Sequence, residues 1–227
     1  MSAAEVESCP SSATGVFGAR LEQAQAFAAH LASSGVERGL LGPREVARIW
    51  TRHVLNCAVL AELVPPGVRV MDIGSGAGLP GIALALARPD LDIVLVDPLE
   101  RRTTWLAEVV ADIDIDVRVV RARAEDLVGT EQAEVVTARA VAALPRLAGW
   151  ALPLVCPGGS VLAIKGQGAA EELQAARPFL VRAGVVSMDI ALCGVALMER
   201  PTTVVRLTKT SHAGHRQPPS PPRGRRH

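Results

Sequence analysis

The sequence predicts an α/β, doubly wound fold: a seven-stranded, mainly parallel sheet preceded by an N-terminal helical element. Three observations predict it. From residue 68 onward short apolar runs alternate with helical stretches, the pattern of βα units. The first run stops at a glycine-rich loop, where sheets of this kind turn from strand into helix. The last two runs have no room for a helix between them, so the series should close in a hairpin.

Taken in order, residues 1–16 are small and polar and read as a mobile N-terminus. Residues 17–33 place Leu21, Ala24, Ala28 and Leu31 on one stripe of an amphipathic helix. Gly42-Pro43 punctuates, and Pro43 suits the first turn of a second helix running to about Leu63, which Pro65-Pro66-Gly67 ends. The strands are then expected at 68–74, 93–97, 117–122, 135–141, 160–165, 185–192 and 202–207. Helices are expected at 80–88, 99–112, 144–152 and 169–181. Residues 17–208 thus form one domain, with helices over 17–64 and the α/β core over 68–208. Residues 209–227, basic and Pro-rich, read as a disordered tail.

Composition supports an ordinary globular chain: 49% of the 227 residues are hydrophobic and 21% charged. Aromatics are 3%, so the core must be aliphatic. The net charge of +1 is unevenly placed. Residues 1–208 hold 19 basic and 23 acidic side chains, and five basic residues follow from Lys209. A generic nucleic-acid binder is basic throughout, so any RNA contact must come from local arginine patches. Cys9, Cys57, Cys156 and Cys193 lack paired spacing, which argues against a metal site or a disulfide framework and for free thiols in a reducing compartment. No stretch reaches the ~18 apolar residues that a membrane span needs. The expectation is a cytoplasmic protein with no membrane partner.

Residues 72–81, D-I-G-S-G-A-G-L-P-G, satisfy two patterns. Gly76-x-Gly78-x-x-Gly81 is the dinucleotide fingerprint, which alone is weak and leaves an NAD-dependent oxidoreductase open. Asp72-x-Gly74-x-Gly76-x-Gly78, with Ser75 inside it, is the loop of S-adenosylmethionine enzymes. Asp72 precedes the glycines, where a carboxylate would repel a pyrophosphate and attract the cationic groups of S-adenosylmethionine. Asp97 ends the second strand, placed for ribose hydroxyls of either cofactor, and Ala124-Glu125-Asp126 follows the third, where an amide and a carboxylate can meet an adenine edge.

The run VMDIGSGAGLPGIALALARPDLDIVLVDPLERRTTWL resembles the RsmG (GidB) family of ribosomal small-subunit guanine-N7 methyltransferases, with the Rossmann-like fold of class I S-adenosylmethionine-dependent methyltransferases. WTRHVLNCAVLAEL, RARAEDL, VTARAVAALPRL and LAIKGQ match in the same order, so the resemblance spans roughly Gly35 to Leu207. ERGLLGPREV and Cys57 look most like actinobacterial members. The resemblance implies that Gly74 and Leu79 contact the cofactor, that Ala124 and Glu125 meet its adenine, and that Arg139 serves cofactor and active site. It implies a guanine of 16S rRNA, in the 530-loop region near the decoding centre, as substrate and the small ribosomal subunit as partner; separately, the enzyme itself is expected to be a monomer. A non-catalytic ribosome-associated or cell-division factor on the same fold is the other alternative.

The residues agree with N7 chemistry. N7 carries a free lone pair at neutral pH, so alignment is needed and a general base is not. The chain has no Asn/Asp-Pro-Pro-aromatic motif for exocyclic amines and no Pro-Cys nucleophile for C5 chemistry. For RNA, Arg44, Arg48 and Arg52 recur at four-residue spacing, a basic stripe if the helix is regular, with His53 beside it and Lys165 after the fifth strand. The same stripe also reads as a solvated helix face. Trp50, Trp105 and Trp150 read as core rather than as base-stacking platforms.

Overall fold

The computed structural model describes residues 5–211. Seven strands form one sheet in the order β3-β2-β1-β4-β5-β7-β6. They are β1 (Arg69–Ile73), β2 (Asp92–Asp97), β3 (Val117–Arg121), β4 (Ala133–Arg139), β5 (Val155–Lys165), β6 (Val185–Cys193) and β7 (Thr202–Lys209). The first five pair in parallel, whereas β7 lies antiparallel between β5 and β6. The expected terminal hairpin is therefore present, its second strand inserted beside β5. Each strand lies within a few residues of its expected place. β5 is the exception, beginning at Val155 and running through Pro157-Gly158-Gly159, with a shift in its register against β4.

Alternation along the strands divides the core between the two faces. Val70, Ile93, Leu95, Val135, Leu162 and Val204 pack on one face with α2 (Leu21–Ala32), α5 (Gly81–Ala87) and α6 (Glu100–Asp112). Met71, Ile73, Val94, Val96, Val136, Ala163 and Val205 pack on the other with α7 (Leu144–Ala151) and α8 (Ala169–Arg182). Trp105 and Trp50 are buried in the first core, and the Trp105 indole N–H is satisfied by Ser34 Oγ at 2.9 Å. No helix among the described residues is long and apolar enough to cross a membrane.

Three expectations need correction. Residues 5–16 are packed rather than mobile. α1 (Ser12–Phe17) buries Ala13 and Phe17, and Glu7 Oε2 accepts the backbone N–H groups of Trp50 and Thr51 at 2.7 and 3.1 Å. The buried Ala13 and Phe17 and a carboxylate at two backbone amides hold this segment. Second, the stretch Pro43–Leu63 is helical but not one regular helix. Pro43–Arg48 is 3₁₀, Trp50–Val54 is a π-turn, α4 (Leu55–Ala58) is regular and Val59–Leu63 is again 3₁₀. The short α3 (Ser34–Glu37) precedes it. Third, Lys209 belongs to β7, where its Nζ donates to the carbonyls of Leu152 and Val155 at 2.9 and 2.6 Å. The remainder of the expected tail from residue 212, and residues 1–4, lie outside the described residues.

Candidate active site

The glycine loop bridges β1 and α5 at the carboxyl end of the parallel strands, the end at which such sheets bind ligands. It is anchored to β2: the N–H groups of Gly74 and Ser75 both donate to Val96 O, at 2.7 and 3.1 Å. The Ser75 hydroxyl donates to Asp72 O at 2.8 Å and accepts the Val96 N–H at 3.0 Å. Ser75 is buried, so its side chain ties the loop down and is not free for a ligand. Gly74 has φ of 68°, and a Cβ there would lie 2.9 Å from Val141 Cγ2. A side chain at this position would be strained in its backbone and would collide with the segment after β4.

Above the loop lies a cavity of about 480 Å³, within the usual range for a small-molecule site. Gly74, Ser75, Gly76 and Leu79 form its floor, Arg102 and Arg139 supply its cations, and His53, Leu40 and Leu41 come from the N-terminal helical element. Sequence reasoning brought the loop and Arg139 to this place but did not assign Arg102, Leu40, Leu41, Ala77, Ala140 and Val141 as lining residues. Both leucines lie in the ERGLLGPREV segment, whose glycines and proline were the available signal.

Asp97, fully buried, accepts the Gly76 N–H at 3.1 Å and Arg102 Nη1 at 3.1 Å through Oδ2, and the Leu99 N–H at 2.9 Å through Oδ1. Arg102 Nε is buried with no acceptor among the described residues. Such a donor in a cavity wall fits a ligand that brings its own oxygen. Asp72 is also fully buried and does not line the cavity. Its Oδ2 accepts the Gly81 N–H at 3.0 Å, and burial pushes its pKa up to about 7. Its other oxygen, Oδ1, is buried without a partner among the described residues, so any attraction to a cationic ligand would act from beneath the loop and not from the cavity wall. The carboxyl lies beneath the loop and holds the start of α5. Ala124 and Glu125 sit in a 3₁₀ turn after β3, at the same end of the sheet but outside the cavity lining.

Arg139 ends β4, and the next residue, Ala140, has φ of 54°. The guanidinium makes three contacts with the R-H-x-L-N-C segment. Nη1 donates to Cys57 Sγ at 3.0 Å, and Nη2 donates to Arg52 O at 3.1 Å and to His53 Nδ1 at 2.9 Å. An arginine has no acceptor, so Nδ1 must be the unprotonated nitrogen and Nε2 carries the proton to Glu45 Oε2, 2.8 Å away. Burial, helped by the charge of Arg139, lowers the His53 pKa to about 4 despite the hydrogen bond to Glu45. The imidazole is neutral. Asn56 of the same segment faces the other way, its Nδ2 donating to Thr202 Oγ1 at 2.7 Å.

The proposed basic stripe is not formed. Arg44 and Arg48 stand on a 3₁₀ segment and Arg52 and His53 on a π-turn, so four-residue spacing does not align them. Arg44, Arg48 and Arg52 are all exposed, and Arg48, Arg52 and His53 converge on Glu45 at 2.7, 3.0 and 2.8 Å, a cluster rather than a helical stripe. His53 is buried in the cavity wall and not on an outer RNA-facing surface. Lys165 is likewise turned inward: its Nζ donates to Ala142 O at 2.9 Å and to Glu172 Oε1 at 3.0 Å, with the side chain 13% exposed.

Comparison with known proteins identifies the family. Residues 20–198 match the family described as rRNA small subunit methyltransferase G. The ribosomal RNA small subunit methyltransferase G of Paenarthrobacter aurescens is 52% identical over 208 residues, covering 91% of this chain and 94% of that protein. That of Rhodococcus jostii is 55% identical over 194 residues, covering 84% and 86%. In fold the chain is similar to a precorrin-6y C5,15-methyltransferase of Geobacter metallireducens, with a TM-score of 0.51 at 15% identity over 76% of this chain and 91% of that one. These matches separate the two readings of the glycine loop in favour of a methyltransferase. Gly81, the third glycine of the dinucleotide pattern, packs against Leu95 and Asp72.

Proposed function

The chain belongs to the rRNA small subunit methyltransferase G family, and from that premise we propose that it transfers the methyl group of S-adenosylmethionine to N7 of a guanine in 16S rRNA, in the 530-loop region near the decoding centre. The observation that carries the N7 assignment is the make-up of the cavity. Among the described residues its lining holds no carboxylate, and its one imidazole is engaged at both nitrogens. A site without a free base suits a nucleophile that needs no deprotonation.

S-adenosylmethionine, when bound, supplies an electrophilic methyl group on a sulfonium. The residues present fit it: Gly74, Gly76 and Leu79 offer the backbone cradle, with Gly78 outside the lining and turned toward Ile82 and Leu106, and Arg102 and Arg139 offer cations for its anionic and oxygen groups. Asp97 would act from beneath the cavity, through Gly76 and Arg102, and Ala124 and Glu125, outside the cavity lining, would meet the adenine only at its edge. In this reading Arg139 aligns donor and base, which is where the rate enhancement of a simple displacement comes from. Arg44, with the exposed edges of Arg48 and Arg52, would meet RNA phosphates. The enzyme would act in the cytoplasm, as a monomer on the small ribosomal subunit.

The test is incubation with tritiated S-adenosylmethionine and small subunits lacking the modification, followed by nucleoside digestion. Label in 7-methylguanosine is expected; label on an exocyclic amine, or none, overturns the reading.

A further inference from the structure

We propose that His53 is a positioning residue of this methyltransferase: with Glu45 it forms a relay that fixes the Arg139 guanidinium toward the cavity. The inference rests on the reading of Arg139 given above. It goes further by assigning the work of orientation to a side chain from the N-terminal helical element, across the sheet crevice from Arg139.

Three features of the geometry point to it. The Glu45–His53–Arg139 chain is continuous, with steps of 2.8 and 2.9 Å. Its direction is fixed, because Arg139 can only donate and His53 Nδ1 must therefore accept. Its far end is anchored, because Glu45 is also held by Arg48 Nη2 at 2.7 Å and Arg52 Nε at 3.0 Å. Burial works against the Glu45 charge, but hydrogen bonds from Arg48 and His53 lower its pKa, so it stands as a carboxylate. A neutral, buried imidazole held between a carboxylate and a guanidinium has one orientation available.

Cys57 Sγ and Arg52 O take the remaining observed contacts of the guanidinium. Arginine at the end of a strand, followed by a residue with positive φ, would otherwise have a long side chain with four free torsions. The relay and these two acceptors remove that freedom before any ligand arrives, which lowers the entropic cost of binding. The π-turn at Trp50–Val54 carries both His53 and the Arg52 carbonyl and so has a task in the site.

The imidazole can be divided chemically. Asparagine places an acceptor where Nδ1 stands but does not reach Glu45, whereas glutamine reaches toward Glu45 but offers nothing at the Nδ1 position. Affinity for S-adenosylhomocysteine, measured by calorimetry on the full chain, should fall roughly tenfold in His53→Gln and stay within about threefold of wild type in His53→Asn, the loss expected for one hydrogen bond to a charged group. The decisive readout is the coupling. Combined with Arg139→Ala, His53→Gln should weaken binding no further than Arg139→Ala alone, since the relay would have nothing left to orient. Should His53→Gln not fold, Glu45→Ala removes the acceptor of the His53 Nε2–H; its loss should match the threefold or less of His53→Asn, and it too should vanish in the Arg139→Ala background.

Independent, multiplying losses would overturn the relay, as would wild-type affinity in His53→Gln or equal losses in the asparagine and glutamine variants. Unchanged affinity in Arg139→Ala itself would instead overturn the reading of Arg139 on which the relay rests.

Discussion

The backbone N–H of Gly81 donates to Oδ2 of the fully buried Asp72 at 3.0 Å, so the last residue type expected inside a sheet holds the first turn of the helix that follows it. A Cβ on Gly81 would collide with Leu95 Cδ2 and lie 2.9 Å from that same carboxylate oxygen. The strand end, the loop and the start of α5 therefore meet at one point with no spare volume, which is how the cavity floor is kept rigid.

The Asp72 pair gives the protein a pH-dependent stability of definite sign. The carboxyl titrates near pH 7 in the folded chain, above its ordinary value of 3.8, because burial penalises the charged form. The stability it contributes is fully present below about pH 4 and is lost as pH rises through 7. Asp72→Asn keeps an acceptor for Gly81 but cannot ionise. Its stability relative to wild type should improve by on the order of 2 kcal/mol between pH 5 and pH 8. Thermal melts across that range check it, and a gap that stays constant with pH refutes it.

Two glycine-to-alanine substitutions should act in opposite directions. Gly81→Ala puts a methyl group into Leu95 and Asp72 and should destabilise by about 1–3 kcal/mol, the usual cost of overpacking. Gly149, inside α7, has open space around its Cβ position. Gly149→Ala should stabilise by up to about 1 kcal/mol through helix propensity alone. Chemical denaturation of both variants measures this; equal signs would show that the close approach at Gly81 can relax.

Replacing Arg139 by alanine should lower methylation of small subunits by roughly 100-fold or more, the scale of losing one preorganised charged donor. The fold should survive, because the side chain reaches into the cavity from a strand end while the β4 core residues Val135, Val136 and Ala138 are untouched. Circular dichroism alongside the tritium assay checks both halves. Wild-type methylation in a folded variant would remove Arg139 from the site.

Lys165→Met should separate stability from RNA binding. Nζ is tied to Ala142 O and Glu172 Oε1, and the same Glu172 oxygen accepts the Leu144 N–H at the start of α7. Loss of a largely buried, charge-assisted pair should cost about 1–3 kcal/mol. The salt dependence of RNA affinity should not change, since no phosphate contact is lost. A shallower salt slope with an unchanged melting temperature would return Lys165 to the RNA surface.

Much of this molecule could be read from the chain. Strand positions followed from apolar runs broken by turn residues, and the terminal hairpin from the short gap between the last two runs. The glycine loop, Asp97 and Arg139 were legible because their place at strand ends is a local property. The irregular helix over Pro43–Leu63 was not. Its 3₁₀ and π turns depend on packing against β7 and the core, and a four-residue arginine spacing carries no warning that the helix will not be regular. Nor was the direction of Lys165 or the fate of residues 5–16, whose Glu7 reaches the amides of Trp50 and Thr51, more than forty positions away.

The order of elements and the loop that must lie at a ligand site were already legible in the chain, because periodicity and glycine act over a few neighbouring residues. Which charges face the cavity depends on contacts between segments far apart in the chain. The tertiary structure buried Asp72, gathered Arg48, Arg52 and His53 onto Glu45, and set His53 against Arg139. The physical reason is that a side chain's partner, and hence its protonation and direction, is fixed by which distant segments the fold presses together.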